Sequence, residues 1–172
     1  GGGDGESFAF VVLNPFPVGT EIFFTDAGWS NNSAIGWHRT SEFHRASWVS
    51  TGSEALGSVV TLTISNINNG GDQVAVYQYD GVGNPQTDPD NVRFLYAITV
   101  RNNWYDPPVP DNNESSALYF GLTNGLTAVS LPSASTVNVR YNGTRTGTAQ
   151  QLLLAISNPT NWVVDPASTD IT

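Results

Sequence analysis

The sequence predicts a mainly β protein: an antiparallel β-sandwich of about seven to nine short strands with one short C-terminal helix. Three observations lead there. Short runs rich in Val, Ile, Thr and aromatic residues recur along the 172 residues, several with two-residue alternation. Clusters of Gly, Pro, Asn and Asp separate them. One segment near the C-terminal end, 149–156, combines an apolar stripe of helical spacing with a helix start signal.

The elements follow in order. Residues 7–13 (SFAFVVL) are apolar on both faces, with Phe8, Phe10 and Val12 pointing one way and Ala9, Val11 and Leu13 the other. Such a strand belongs inside a sandwich or between packed subunits. Residues 14–19 break it, because Pro15 and Pro17 cannot supply ladder donors. Residues 20–26 (TEIFFTD) read as the next strand, ended by Ala27-Gly28. Residues 30–45 are irregular, polar and aromatic, and 46–50 form a short strand. Over 58–64, Val60, Leu62 and Ile64 alternate with Val59, Thr61 and Thr63, the first set facing inward. A turn at 66–71 (NINNGG) leads to a strand at 72–79, a Gly/Pro/Asp loop at 80–91 and the longest β-run at 92–100. A second long loop covers 101–115, and strands at 126–131 and 136–141 complete the β content. Thr148 caps a helix from Ala149, with Gln151 closing a capping box. Leu152, Leu153 and Ile156 form its apolar stripe, and Asn158-Pro159 stops it. Trp162 is expected to pack the returning chain, with a polar tail to Thr172 that holds one valine pair. The chain divides into a Gly-rich arm, 1–6, and a single sandwich domain, 7–172.

Composition excludes whole chemistries. The chain has no cysteine and no methionine, and all six of its basic residues are arginine. Thiol nucleophiles, thiolate metal sites, disulfides, lysine Schiff bases and P-loop lysines are therefore out of reach. Without a starting methionine, Gly1 is expected to be an end made by cleavage or part of a longer chain. The formal net charge is −9 with fifteen acidic residues, so a basic footprint for nucleic acid is missing and anionic membrane surfaces are disfavoured. No run is long and apolar enough for a spanning helix. Charged residues are 12% of the chain, about half the usual share. The polar surface is therefore built from Asn, Thr, Ser and Gln, a composition that suits an extracellular location.

Several motifs occur together in one order. Phe8-Ala-Phe-Val-Val is followed by Gly19-Thr20-Glu-Ile22-Phe-Phe24-Thr-Asp26-Ala-Gly-Trp29. Gly71-Asp72-Gln73 precedes a strand ending in Tyr77-Gln78, and Phe94-Leu95-Tyr96-Ala97-Ile98 comes next. Gly147-Thr148 then opens the helix ahead of Asn161-Trp162. Residues 7–163 resemble an uncharacterised β-rich domain of secreted and cell-surface proteins of bacteria and algae, marked by Pro-x-Gly-Thr-x-Ile-x-Phe-Thr-Asp-x-x-Trp and lamin-tail-like only in style. The resemblance implies location and fold rather than chemistry, and it carries over no catalytic residue. The arm at 1–6 lies outside the shared pattern.

Candidate sites are sparse. His38 and His44 lie near Asp26 and Glu42 in sequence, but their spacing matches no helical zinc pattern, and surface or hydrogen-bonding roles are expected. Trp29, Trp37 and Trp48, with Phe43, form either a glycan-stacking platform or a satellite core under a long loop. Asp80, Asp88 and Asp90 with Asn91 offer oxygens to calcium, and Asp106, Asp111 and Glu114 form a second acidic loop; turn chemistry is the simpler reading of both. Asn31, Asn113 and Asn142 begin glycosylation sequons. Self-association is expected through Gly1, Gly2 and Gly3 of the arm and through Phe8, Phe10 and Val12. The functional expectation is a non-enzymatic extracellular structural protein, such as a surface filament subunit, whose partners are copies of itself or other surface proteins. A glycan- or calcium-dependent adhesion module is the alternative, and an extracellular hydrolase a more distant one. No cofactor beyond calcium is expected.

Overall fold

The computed structural model describes residues 6–30, 36–38, 45–64, 67, 72–100, 102–110, 112, 114–131 and 139–164. Nine strands and one α-helix appear in chain order: β1 (Glu6–Val11), β2 (Glu21–Thr25), β3 (Arg45–Val49), β4 (Val59–Ile64), β5 (Asp72–Tyr79), β6 (Val92–Val100), β7 (Ala128–Leu131), β8 (Val139–Tyr141), α1 (Ala149–Ile156) and β9 (Trp162–Val164). The fold is mostly β, a β-sandwich with one short α-helix among the described residues.

A five-stranded sheet in the order β3-β2-β5-β6-β7 forms the larger layer. Its pairings are antiparallel except the last, where β7 runs parallel to β6 with Ile98 opposite Val129. The expectation of an antiparallel sandwich is corrected at this one edge. The chain crosses from β6 to β7 through the long 101–127 segment, as a parallel neighbour requires. The opposing layer consists of two ribbons, β1-β4 and β8-β9, each antiparallel. Phe8 and Ile64 of the first ribbon pack with Ile22, Phe24 and Val74 of the sheet. Val139 of the second packs with Val129 and Leu131, with Trp162 against them. Ile98 touches both clusters, so both ribbons cover the same face.

Loops cover the other face. Ala75, Tyr77, Phe94, Ala97 and Ala128 of the sheet meet Ala27, Trp29, Trp37, Ala117 and Tyr119. A bulge makes this face possible. Val76 pairs with Tyr96 and Tyr77 with Phe94, so Leu95 is the extra residue. Three positions separate Phe94 from Ala97, which would put them on opposite faces of a regular strand. The inserted residue restores them to one side.

Helix α1 starts at the expected residue. The Thr148 hydroxyl accepts from Gln151 N and the Gln151 side chain accepts from Thr148 N, a complete capping box. Leu152 is buried, with Leu153 and Ile156 half-buried beside it. The buried Ser157 at its end donates to Leu126 O at 2.6 Å and lies 3.1 Å from Tyr96 Oη, tying the helix to the sheet. Trp162 returns against the helix, donating from Nε1 to Ile156 O at 2.8 Å. The valine pair expected in a tail, Val163-Val164, belongs to β9.

Candidate functional site

The β1-β4 ribbon is the most distinctive surface. Its register is unbroken from Glu6 opposite Ile64 to Val11 opposite Val59. Val12 N continues the ladder to Ser58 O at 2.9 Å. The inner side is aromatic. Phe8 and Phe10 lie 5.0 and 4.9 Å from the Phe24 ring, and Phe10 meets Trp48 edge-on at 5.3 Å. Such aromatic pairs are worth about 0.5–1.5 kcal/mol each beyond their buried area. The outer side carries Ser7, Ala9 and Val11 opposite Thr63, Thr61 and Val59, all short, with Val59 69% exposed. Residues 7–13 and 58–64 contain no charged residue and no proline. Among the described residues, each strand of the ribbon is paired on one side alone. Edge strands are normally guarded by charge, proline or a bulge; this pair has only Glu6 at one end.

The structure places Phe8 and Val12 in the protein's own core. Their side chains are 7% and 1% exposed, and Phe10 is half-buried on the same side. The ribbon buries this apolar face on the sheet. Gly1, Gly2 and Gly3 lie outside the described residues.

Trp29 and Trp37 are corrected as a glycan platform. Trp37 is fully buried and Trp29 only 8% exposed. Their rings meet edge-on at 5.3 Å, and Phe94 closes on both. Trp37 Nε1 donates to Pro85 O at 2.9 Å, so its one polar atom is also engaged. Gly36 has φ +67 and sits against the Trp29 ring, where a side chain would collide. Trp48 is half-buried under Phe10 and Phe16. Trp29 and Trp37 thus belong to the core cluster on the loop-covered face and Trp48 to the cluster beneath the β1-β4 ribbon.

His38 is half-buried and its Nε2 lies 3.0 Å from Pro110 O; since a carbonyl only accepts, this nitrogen carries the proton. Asp26 is buried beneath the Gln73 amide, which donates to the Asp26 carbonyl. His44, Glu42 and Phe43 lie outside the described residues. Asp88 accepts from Tyr79 Oη at 3.0 Å and from Asn91 Nδ2 at 2.9 Å, while Asp80 and Asp90 are exposed. Among the described residues no three His, Cys, Asp or Glu side chains gather as a metal site would require. The Asp88 carboxylate ties the 80–91 loop together instead. In the second acidic loop, Asp106 is exposed and Glu114 half-buried, and Asp111 is outside the described residues. Of the sequon asparagines, Asn31 and Asn113 lie outside the described residues. Asn142 is exposed between β8 and α1, with Thr144 exposed two residues on.

A shallow cleft of about 360 Å³ lies beside the start of β2 and the end of β5, lined by Glu21, Phe23, Gln78, Tyr79 and Asp80 among others. None of these was singled out by sequence reasoning except Asp80. The others sit in ordinary strand patterns, and the strands that bring them together are separated by 46 or more positions in the chain.

No family profile, curated protein or solved structure matches the chain. No helix among the described residues is long and apolar enough to cross a membrane.

Proposed function

We propose that this protein is a non-enzymatic extracellular structural subunit that self-associates through its first strand and the ribbon built on it, as a surface filament subunit would. One observation carries the reading: the β1-β4 ribbon is regular in register, charge-free over 7–13 and 58–64, and open along its edges among the described residues. Main-chain donors and acceptors on such an edge add a further strand with little regard to side chains. In a chain of net charge −9, contact between copies costs least where acidic residues are missing. The neutral polar composition and the resemblance of residues 7–163 to a secreted surface domain support the location.

Thr61→Lys tests it. Thr61 is exposed at the middle of β4, so the substitution leaves the core alone and should shift stability by less than about 0.5 kcal/mol. It places a guard charge on the unguarded strand. Sedimentation and electron microscopy should show assembly of the unaltered protein and at least about tenfold weaker association of the variant. If the variant assembles equally well, the open edge of this ribbon is not the interface.

A further inference from the structure

The contacts around β1 divide at a single place. Val12 is held to the β4 side, its N donating to Ser58 O and its O accepting from Gly57 N at 2.8 Å. The chain from Phe16 onward is held to the β3 side. Phe16 packs edge-on against Trp48 at 5.8 Å, and the Ser50 hydroxyl donates to Phe16 O. Gly19 N donates to Ser50 O, and Ser50 N to Thr20 O. Between the two groups lie Leu13, Asn14 and Pro15, with Asn14 and Pro15 exposed. The contacts thus fall into two groups, one holding β1 to β4 and one holding the chain from Phe16 onward to β3, joined by a three-residue link.

Two properties decide where a released β1 goes. Its inner residues Phe8, Phe10 and Val12 are too apolar to remain in water, so the strand must be seated in some groove. The groove it vacates, floored by Phe24 and Trp48 and edged by β4, fits one known occupant, this same strand. A second copy supplies an identical strand and an identical groove. The link of Leu13, Asn14 and Pro15 reaches about 10 Å when extended, so the strand can pass only to a copy that abuts this one directly.

We infer that copies of this chain join by exchanging β1, each first strand pairing with the β4 of its neighbour in the register Glu6–Ile64 to Val11–Val59. The inference rests on the self-association reading and specifies its mechanism. It also lets Phe8, Phe10 and Val12 be core residues and association residues together. Exchange in one direction leaves a groove open at one end and a free strand at the other, which propagates a filament; reciprocal exchange closes a dimer.

The absence of native cysteine makes the test clean. Val12 N to Ser58 O marks position 12 as a hydrogen-bonded pair, so Ala9 and Thr61 form a non-hydrogen-bonded pair with close side chains on the outer face. That spacing suits a disulfide. Ala9→Cys and Thr61→Cys are made in separate chains, which are mixed during assembly under reducing conditions, then oxidised and run on a denaturing gel without reductant. Exchange predicts covalent pairs joining one chain of each kind. Assembly without such pairs, or with joining only between like chains, overturns exchange and leaves self-association standing. Failure of both mixed and unaltered chains to assemble overturns the two together. Val11→Cys with Val59→Cys, the next outward pair, repeats the test if either first variant misfolds.

Discussion

Tyr77 sits at the centre of the loop-covered face, stacked on Phe23 at 5.4 Å, with its hydroxyl buried and without a hydrogen-bond partner. Burial pushes its phenol up to about 12, and the nearby Arg45 guanidinium works against this. A raised value means stability that is whole below the ordinary phenol value of 10.0 and is lost as pH climbs towards 12. An unsatisfied buried hydroxyl costs about 1–3 kcal/mol, so Tyr77→Phe should raise the urea-unfolding free energy by about 1 kcal/mol. A loss of stability would mean that the hydroxyl has a partner. Glu54 shows the reverse arrangement at the surface. Its carboxylate accepts from the Thr51 hydroxyl at 2.8 Å, from Thr51 N and Gly52 N at 3.1 Å and from the Ser50 hydroxyl at 3.0 Å. These donors, the Thr51 hydroxyl foremost, hold it at about 2 against an ordinary 4.5. The stabilisation is therefore complete above pH 4.5 and fades as pH falls towards 2. Carboxyl NMR should show the low titration, and Glu54→Gln should flatten the loss of stability across that interval.

At the scale of elements, α1 is the part whose limits depend most on local chemistry. It has only eight residues, too few for a helix to persist in water by itself. Its capping box and the buried Leu152 hold it in place. Thr148→Ala removes the side-chain acceptor and should cost about 1 kcal/mol, seen in urea unfolding and as faster amide exchange in the first turn. This helix was legible because cap, stripe and stop all lie within a dozen positions of one another. The alternation of 59–64 was legible for the same reason, since one exposed and one buried face leave a period of two. β9 was not: three residues after a proline-initiated turn give no period to read, and the strand exists because β8 is there to pair with it. Nor could the direction of β7 be read. Its burial pattern is the same whichever way the neighbouring strand runs, and only the path of the 101–127 segment decides it.

For the whole molecule, charge and assembly oppose one another. With a net charge of −9, copies repel at low salt. Raising salt from about 0.1 M to about 1 M shortens the screening length from about 10 Å to about 3 Å. Association through a charge-free ribbon should therefore strengthen with salt in sedimentation runs; weakening would point to an interface made of ion pairs. The apolar character of 7–13 was legible in the sequence, but its partner was not, because β1 pairs with a strand nearly fifty positions away and that choice is made by the shape of the sheet beneath. Dense tryptophan around 29–48 was ambiguous for a related reason: an aromatic cluster reads alike whether it faces a ligand or the interior. The parallel placement of β7 has a consequence in time. The same 101–127 segment that delivers β7 to the sheet also brings Ala117 and Tyr119 onto the loop-covered face, where Ala117 N bonds Trp29 O and Tyr119 Oη bonds Ala27 O, each at 2.7 Å. Closing so long an excursion is slow, because its ordering must precede the contacts that reward it. When it does close, the sheet gains its last strand and the tryptophan pair loses contact with solvent in a single event, so the molecule should pass from half-built to finished without a stable stage between.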